Sequence, residues 1–300
     1  RRQRQMCIRD SAYTLAVSGL FSEVLLLDAD MHRAEGEAAD IAHGAALRRP
    51  CRVHAGGYAD FADCGLVILA AGTNQRPGET REALLGRNRA ILQSILEQLT
   101  AVNRDAVLLV VSNPVDVLTG YTLELSGFPA ERVIGSGTVL DTARIKCLLG
   151  EKLGVDSRNV HAFMLGEHGD SEVAVWSSAN ISGADLDDFC LAAGIDDPES
   201  MLASLAREVT HAAYDIIERK GATCYGIAMA VRRIAEAIIR DEHAVLPVST
   251  LARGAYGIEA VLVPRMEIDG ITVSSSAVYI SKSSSPLKEA AIQMVGILSL

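Results

Sequence analysis

The stretch Gly65-Leu66-Val67-Ile68-Leu69-Ala70-Ala71 is a continuous run of small and apolar residues. A second run of the same kind, AVLLVVS, covers residues 106–112. Unbroken apolar runs of this length are typical of strands that are buried on both faces of a parallel sheet. Residues 82–102 between them form an amphipathic, helix-favouring segment, so the order is β-α-β. We therefore predict an α/β fold with a doubly wound parallel sheet, followed by a mixed α+β domain.

Composition and charge exclude several classes of protein. The 300 residues are 49% hydrophobic and 22% charged, which is ample for a sizeable core. The net charge of -10 argues against a nucleic-acid-binding surface, which needs a clustered basic face. No apolar run approaches the roughly 18 residues that cross a bilayer. The six cysteines show neither a C-x-x-C pair nor metal-ligand spacing, which predicts reduced thiols in a cytoplasmic protein without a structural metal.

The beginning of the chain departs from the pattern of a dinucleotide-binding unit. Residues 23–28, EVLLLD, read as a strand that ends in Asp28, and residues 31–46 read as a helix. A carboxylate at this position of such a unit accepts hydrogen bonds from the adenosine ribose of NAD, whereas a plain strand-end turn is the alternative. The first strand and the G-x-G-x-x-G loop that should precede it are missing. Residues 11–18 read as a helix, and the basic segment RRQRQMCIRD at residues 1–10 is atypical. We expect that segment to be foreign sequence or the mark of a truncation.

Two polar loops come after the two apolar strands. Residues 72–81 and 112–116 stand at the strands' carboxyl ends, where ligands bind in open α/β sheets. The first loop is rich in glycine, proline and arginine, and the second reads SNPVD. A solvated surface is the alternative interpretation of both loops.

The hexapeptide GEHGDS places His168 between two glycines directly after the apolar run AFML. A histidine presented by a sharp turn is suited to proton transfer, because its ordinary pKa of about 6.5 lies near neutrality. Asp141 and Arg144 are three residues apart in a predicted helix and therefore share one face. The alternatives are a histidine that only caps a turn and a structural ion pair on the helix.

Six motifs together identify a resemblance. The chain resembles the lactate/malate dehydrogenase family, and within it the L-lactate dehydrogenases, over residues 11–256. The motifs occur in the family's order: LLLDAD (25–30), AGTNQRPGETR (71–81), SNPVD (112–116), VLDTAR (139–144), GEHGDS (166–171) and KGATCYGIAMAV (220–231).

The resemblance implies a catalytic set of four residues. His168, as imidazolium, protonates the 2-oxo group of the substrate while NADH delivers hydride to carbon. Asp141 orients the ring of His168 and stabilises its charge. Arg144 grips the substrate carboxylate with its planar guanidinium. Arg81, on the polar loop, polarises the reacting carbonyl.

The same resemblance implies the binding residues. Gln75, neutral where malate-specific relatives carry an arginine, favours pyruvate and lactate, and Thr223 lines the pocket beside the substrate methyl group. Asn113 contacts the substrate oxygen or the nicotinamide ribose. The cofactor residues are Asp28 and Asn113 together with Gly72 in the lid loop and Ile227 against the nicotinamide ring.

Domain boundaries and assembly can be inferred from the same resemblance. We predict a dinucleotide-binding domain over residues 1–135 and a substrate domain over residues 136–300. In the second domain we expect helices at 198–219, 225–240 and 289–298 and strands at 244–250, 260–264 and 271–274. The family implies a homotetramer. Lys146 and His161 match positions that bind a sugar bisphosphate in bacterial relatives, although a solvated lysine and an ordinary strand histidine are the simpler interpretation.

Two other functions stay open at this point. A malate dehydrogenase, or one acting on another 2-hydroxy acid, would share nearly every motif. A chain that keeps the fold and lacks the cofactor is the second alternative, because the glycine loop is absent.

Overall fold

The computed structural model describes residues 2–48, 50–73, 80–251, 274–280 and 294–298. Eight α-helices are assigned within these residues: α1 (Arg2–Ser18), α2 (Met31–Ala45), α3 (Arg81–Val102), α4 (Val115–Ser126), α5 (Val139–Leu153), α6 (Leu186–Ala192), α7 (Pro198–Lys220) and α8 (Tyr225–Ile239). None of these helices is both long enough and apolar enough to cross a membrane.

The strands of the described residues form three sheets. In chain order they are β1 (Glu23–Leu27), β2 (Arg52–Ala55), β3 (Leu66–Leu69), β4 (Val107–Val110), β5 (Val133–Gly135), β6 (Val160–His161), β7 (Met164–Leu165), β8 (Val173–Ala174), β9 (Asn180–Ile181), β10 (Ala184–Asp185), β11 (Ala244–Thr250), β12 (Ser274–Ile280) and β13 (Met294–Leu298). The large sheet has eight strands in the order β12-β11-β5-β4-β3-β13-β1-β2. Strands β6, β9 and β10 form a three-stranded sheet, and β7 pairs with β8.

The six strands from β5 to β2 run parallel, and their side chains divide between two cores. Leu26, Ile68 and Leu109 point to a core shared with α1, α2 and α8. Their neighbours Val67 and Leu108 point to the opposite core, shared with α3 and α4. Because successive strand residues face opposite sides, helices cover both faces of the sheet. The predicted doubly wound sheet is confirmed.

A third core belongs to the second half of the chain. Residues of α5, α6 and α7 pack there with the short strands β6, β7 and β9. Helix α7 begins with the N-cap Asp197, whose side chain accepts a hydrogen bond from Ser200 N, and ends at Gly221 with φ +84°. The predicted helices at 198–219 and 225–240 and the strand at 244–250 are confirmed within a residue at each end.

The sheet also extends beyond the first 135 residues. Strand β11 runs antiparallel to β5, with Ser249 opposite Gly135, and β12 adds at the edge. The boundary that we predict at 135/136 falls between β5 and α5, whereas β11, β12 and β13 come from the second half of the chain.

Both ends of the chain differ from the predictions. Helix α1 begins at Arg2 rather than at residue 11, since the arginine, glutamine and methionine side chains of the atypical segment have high helix propensity. The helix predicted at 289–298 is wrong, because residues 294–298 form β13. This strand is parallel to β1 on one side and to β3 on the other, so both neighbours supply backbone hydrogen bonds that outweigh local propensity. It occupies the place of the first strand that the sequence lacks upstream of β1. The predicted strand at 260–264 lies outside the described residues.

Candidate active site

Helix α5 carries two of the predicted catalytic side chains. Asp141 and Arg144 lie one turn apart, and Arg144 donates from one terminal nitrogen to Asp141 Oδ1 at 2.7 Å. The Asp141 side chain is only 2% exposed, and that of Arg144 is 15% exposed. The prediction that Asp141 and Arg144 share one helix face is therefore confirmed, and the two side chains form an ion pair.

The turn between β7 and β8 presents His168. Gly166 and Gly169, on either side of it, have φ values of +104° and +130°, which side chains other than glycine rarely adopt. The backbone N–H of His168 donates to Asp116 Oδ2 at 2.8 Å, and Ser249 donates its hydroxyl to Asp116 Oδ1 at 2.6 Å. Asp116 thus joins the histidine turn to strand β11.

The strand before the turn is fixed to α5 by two threonines. Thr138 donates its hydroxyl to the carbonyl of Met164 at 2.6 Å, and Met164 N donates to the Thr142 hydroxyl at 2.9 Å. Because these bonds tie β7 to the helix that carries Asp141, the turn and the helix keep a constant separation.

His168 and Asp141 meet directly. The ring Nδ1 lies 2.7 Å from Asp141 Oδ2, so the protonated nitrogen donates to the carboxylate. Burial works against the imidazolium, but the hydrogen bond and charge of Asp141 outweigh it and raise the pKa of His168 to about 9. Burial likewise opposes ionisation of Asp141, yet His168 and Arg144 together hold the pKa of that carboxyl below its usual value. The three side chains can therefore hold a proton on a ring next to an ionised carboxylate.

The predicted binding residues lie at the carboxyl edge of the sheet and beside α8. Gly72 comes after β3 and has φ +151°, and Asn113 is exposed after β4 at a cis peptide bond to Pro114. Arg81 is the first residue of α3. Thr223 is half-buried just before α8. Within α8, Ile227 is partly buried against the core that contains α1. Gln75 lies outside the described residues.

Asp28 lies apart from the histidine turn, at the end of β1. It lines a small open cavity together with Arg9, Arg33 and Glu37. Its Oδ1 accepts a hydrogen bond from the backbone N–H of Asp30 at 2.9 Å. The carboxylate therefore stands at the carboxyl edge of the parallel sheet, where a ligand could reach it.

Lys146 and His161 have different environments. Lys146 Nζ lies 5.9 Å from the centre of the Phe163 ring, and burial lowers the pKa of this lysine. His161 is exposed in β6, opposite Asn180 of β9.

The sequence did not single out two buried carboxyl groups as site residues. Asp116 is 2% exposed, and it belongs to the SNPVD motif, whose polar end after a buried strand was the available signal. Glu172 is 8% exposed and comes directly after GEHGDS, but no spacing rule indicated that it turns inward. Its Oε2 lies 3.9 Å from His168 Nδ1.

Comparison with known proteins covers nearly the whole chain. Residues 8–135 match the family described as lactate/malate dehydrogenase, NAD binding domain, and residues 138–292 match its alpha/beta C-terminal domain. An L-lactate dehydrogenase of Acetivibrio thermocellus is 48% identical over 261 residues, which are 87% of this chain and 82% of that protein. A probable L-lactate dehydrogenase of Schizosaccharomyces pombe is 52% identical over 241 residues, 80% of this chain and 73% of that protein.

Solved structures agree with the sequence relatives. The crystal structure of a lactate dehydrogenase from a Medee basin deep-sea metagenome library superposes with a TM-score of 0.83 at 40% identity, over 91% of this chain and 84% of that one. The minor L-lactate dehydrogenase of Enterococcus mundtii gives a TM-score of 0.82 at 41% identity, over 91% of this chain and 88% of that one. The fold, the histidine turn and these relatives agree, and the chain belongs to the lactate/malate dehydrogenase family.

Proposed function

We propose that the chain interconverts (S)-lactate and pyruvate by hydride transfer with NAD, with His168 as the proton donor and acceptor. The observation that carries the proposal is the pair of 2.7 Å contacts on Asp141, one from the His168 ring and one from Arg144. The relatives named L-lactate dehydrogenase, at about 48% identity over most of the chain, support the choice of substrate.

The histidine moves the proton. In pyruvate reduction the imidazolium of His168 donates a proton from its Nε2 side to the 2-oxo oxygen, and in lactate oxidation the neutral ring takes it back from the hydroxyl. Asp141 holds the proton on Nδ1, so the opposite nitrogen is the one that exchanges with substrate. The nicotinamide of the cofactor, when bound, supplies or accepts the hydride.

Arg144 binds the substrate carboxylate in this proposal. A guanidinium has five N–H donors, and the bond to Asp141 uses one of them. Its side chain remains 15% exposed, so a small anion can reach it from the cleft. We place Arg81 at the reacting carbonyl, with Gln75 and Thr223 around the methyl group and Asn113 at the substrate oxygen or the nicotinamide ribose.

The residues around Asp28 fit the adenosine half of NAD. A carboxylate at the end of a parallel strand, in an open cavity, is suited to accept hydrogen bonds from the two ribose hydroxyls. Arg9 and Arg33 line the same cavity and would supply positive charge for the diphosphate of the bound cofactor. Gly72 and Ile227 would complete the nicotinamide end.

Substrate preference and cofactor binding test the proposal. Consumption of NADH is measured with pyruvate, oxaloacetate and a branched 2-oxo acid as substrates; a preference for oxaloacetate would reject the lactate assignment. Isothermal titration with NADH measures binding without turnover. A chain that folds but binds no NADH would instead be the cofactor-free alternative.

Assembly and regulation are further parts of the proposal. We place the enzyme in the cytoplasm as a homotetramer, in line with its family, and sedimentation equilibrium of the purified protein measures its size. Lys146 and His161 are proposed to bind a sugar bisphosphate such as fructose 1,6-bisphosphate. The half-buried lysine is a weaker phosphate ligand than an arginine would be. An activity curve that this compound leaves unchanged, in wild type and in Lys146→Ala alike, would end the idea.

A further inference from the structure

Glu172 is a buried carboxyl group to which the proton and hydride transfers assign no part. Its side chain is 1% exposed. The turn fixes its position, because its backbone N–H donates to the carbonyl of Gly169 and the next residue begins β8. Within the described part of the chain, Oε2 has no hydrogen-bond partner. A buried carboxylate oxygen without a donor is costly, so the group needs either a cation or a proton of its own.

Three charged or titratable groups act on Glu172 within the described residues. Asp141 and Arg144 come from α5, and His168 comes from the same turn. One oxygen of each carboxyl group and one ring nitrogen of His168 lie within 4.8 Å of one another. The Nδ1 proton of His168 already points to Asp141, 2.7 Å away, compared with 3.9 Å to Glu172. Histidine therefore does not supply the missing donor.

A metal ion is the weaker answer to this arrangement. The three ligand atoms are close enough to share a cation, but the Arg144 guanidinium lies 2.7 Å from Asp141 and already places a positive charge beside it. A proton on one carboxyl group needs no further ligands, and it allows that group to donate a hydrogen bond to the other. Two carboxyl groups that hydrogen-bond to each other commonly share one proton, and a hydrogen bond with the Asp141 side chain contributes to the raised pKa of Glu172.

We propose that Glu172 is a positioning residue whose neutral carboxylic acid donates a hydrogen bond to Asp141 and so holds that carboxylate against the His168 ring. The inference rests on the proposed function only in its consequence for turnover. Burial and the charge of Asp141 raise the pKa of Glu172 to about 8, in agreement with a neutral acid at neutral pH. Once Glu172 ionises, a second negative charge lies 3.9 Å from Nδ1 and stabilises the imidazolium further.

A spectroscopic experiment tests the proton without turnover. The infrared carbonyl band of a protonated carboxylic acid is recorded at pH 7 for wild type, Glu172→Gln and Glu151→Gln. The last is the matched control, because Glu151 is an exposed carboxylate on the same helix as Asp141. We expect the wild-type minus Glu172→Gln difference spectrum to contain the band and the control difference to lack it. Asp116 is also buried with a raised pKa, and the difference spectrum removes its contribution. No Glu172-dependent band at pH 7 would overturn the proposal.

Kinetics and ring titration add the functional consequence. Glu172→Leu, which cannot donate, should lower kcat about 10-fold with little change in the KM for pyruvate, since one hydrogen bond to a charged group is lost. Glu172→Gln keeps a donor and should lose clearly less. In the glutamine variant the His168 ring should titrate at lower pH by NMR than in wild type, because the second negative charge is gone.

The two variants also separate positioning from packing. Equal kcat loss in both variants, with an unshifted titration, would show that Glu172 only fills space. If the leucine variant does not fold, the infrared band and the His168 ring titration of Glu172→Gln still test whether Glu172 carries the proton. Neither of these needs turnover, so a missing band would leave the lactate assignment untouched, and absent turnover would leave the band interpretable.

Discussion

Replacing Asp141 by asparagine would remove the charge that the active site is built around while keeping nearly the same shape. The asparagine can still approach His168 Nδ1 through its amide oxygen, but it carries no negative charge and loses the ion pair with Arg144. The ring would then lose its hydrogen-bonded counter-charge. Glu172, 3.9 Å from Nδ1, and Asp116 would remain as acidic neighbours, while burial lowers the pKa of the histidine.

The size of the effect can be worked from the pKa of His168. Burial lowers the pKa of His168, and Asp141 is the largest of the influences that nevertheless raise it from the ordinary value of 6.5 to about 9. A difference of that size corresponds to about 3 kcal/mol in favour of the imidazolium. We therefore expect kcat/KM for pyruvate at pH 7 to fall about 10²-fold, with the loss spread over kcat and KM because Arg144 loses its partner too.

Steady-state kinetics over a range of pH measure this prediction. The alkaline limb of pyruvate reduction should move down in pH in Asp141→Asn, and circular dichroism should show an unchanged fold. Asp156→Asn is the control, because Asp156 also pairs with an arginine at 2.7 Å but is exposed to solvent. An Asp141→Asn enzyme with wild-type kcat/KM and an unmoved pH profile would refute the assignment of Asp141.

Three further predictions concern pH and packing. In wild type, the raised pKa means that His168 keeps its proton below about pH 9 and loses it as the pH rises through that value. Pyruvate reduction should therefore decline and lactate oxidation should rise across about pH 9. A transition near the ordinary pKa of 6.5 would contradict the structure. Asp116→Ala leaves the His168 N–H and the Ser249 hydroxyl without their acceptor and should lower the free energy of unfolding by about 2–4 kcal/mol in urea; a loss below about 0.5 kcal/mol would mean that water replaces the carboxylate. Gly137→Ala puts a Cβ 2.8 Å from Ser249 N and should destabilise the protein by about 1–3 kcal/mol more than Gly127→Ala, which has a similar positive φ in open space; equal losses would show that only backbone strain matters.

The sequence predicted the doubly wound architecture, four of the eight strands of the large sheet (β1, β3, β4 and β11) and the centre of the site. The runs that form β3 and β4 could be recognised because an unbroken apolar run of this length is typical of a strand buried on both faces of a parallel sheet. Asp141 and Arg144 could be placed on one face by helix geometry alone. The contact of Asp141 with His168 was predicted from family resemblance and is now seen as a 2.7 Å bond.

What the sequence could not supply depends on distant partners. The segment MVGIL is too short for its periodicity to separate a strand from a helix, and only the gap between β1 and β3 decides its form. Glu172 is similar: an acidic residue after a polar turn usually faces water, and it is buried here because the two glycines of the turn reverse the chain direction. Asp116 gains its importance from Ser249, which lies 133 positions further along the chain.

The location of β13 bears on how the polypeptide reaches this architecture during translation. The strand that separates β1 from β3 emerges from the ribosome after the other described strands of the sheet. Until then the β1–β2 pair and the β3–β4–β5 group are two separate pieces with unpaired edges. Contacts between such distant parts of a sequence form slowly, and unpaired strand edges can pair with other chains and aggregate. Nascent polypeptides of this protein should therefore depend on chaperones until β13 inserts, after which the nucleotide half is completed in one late step.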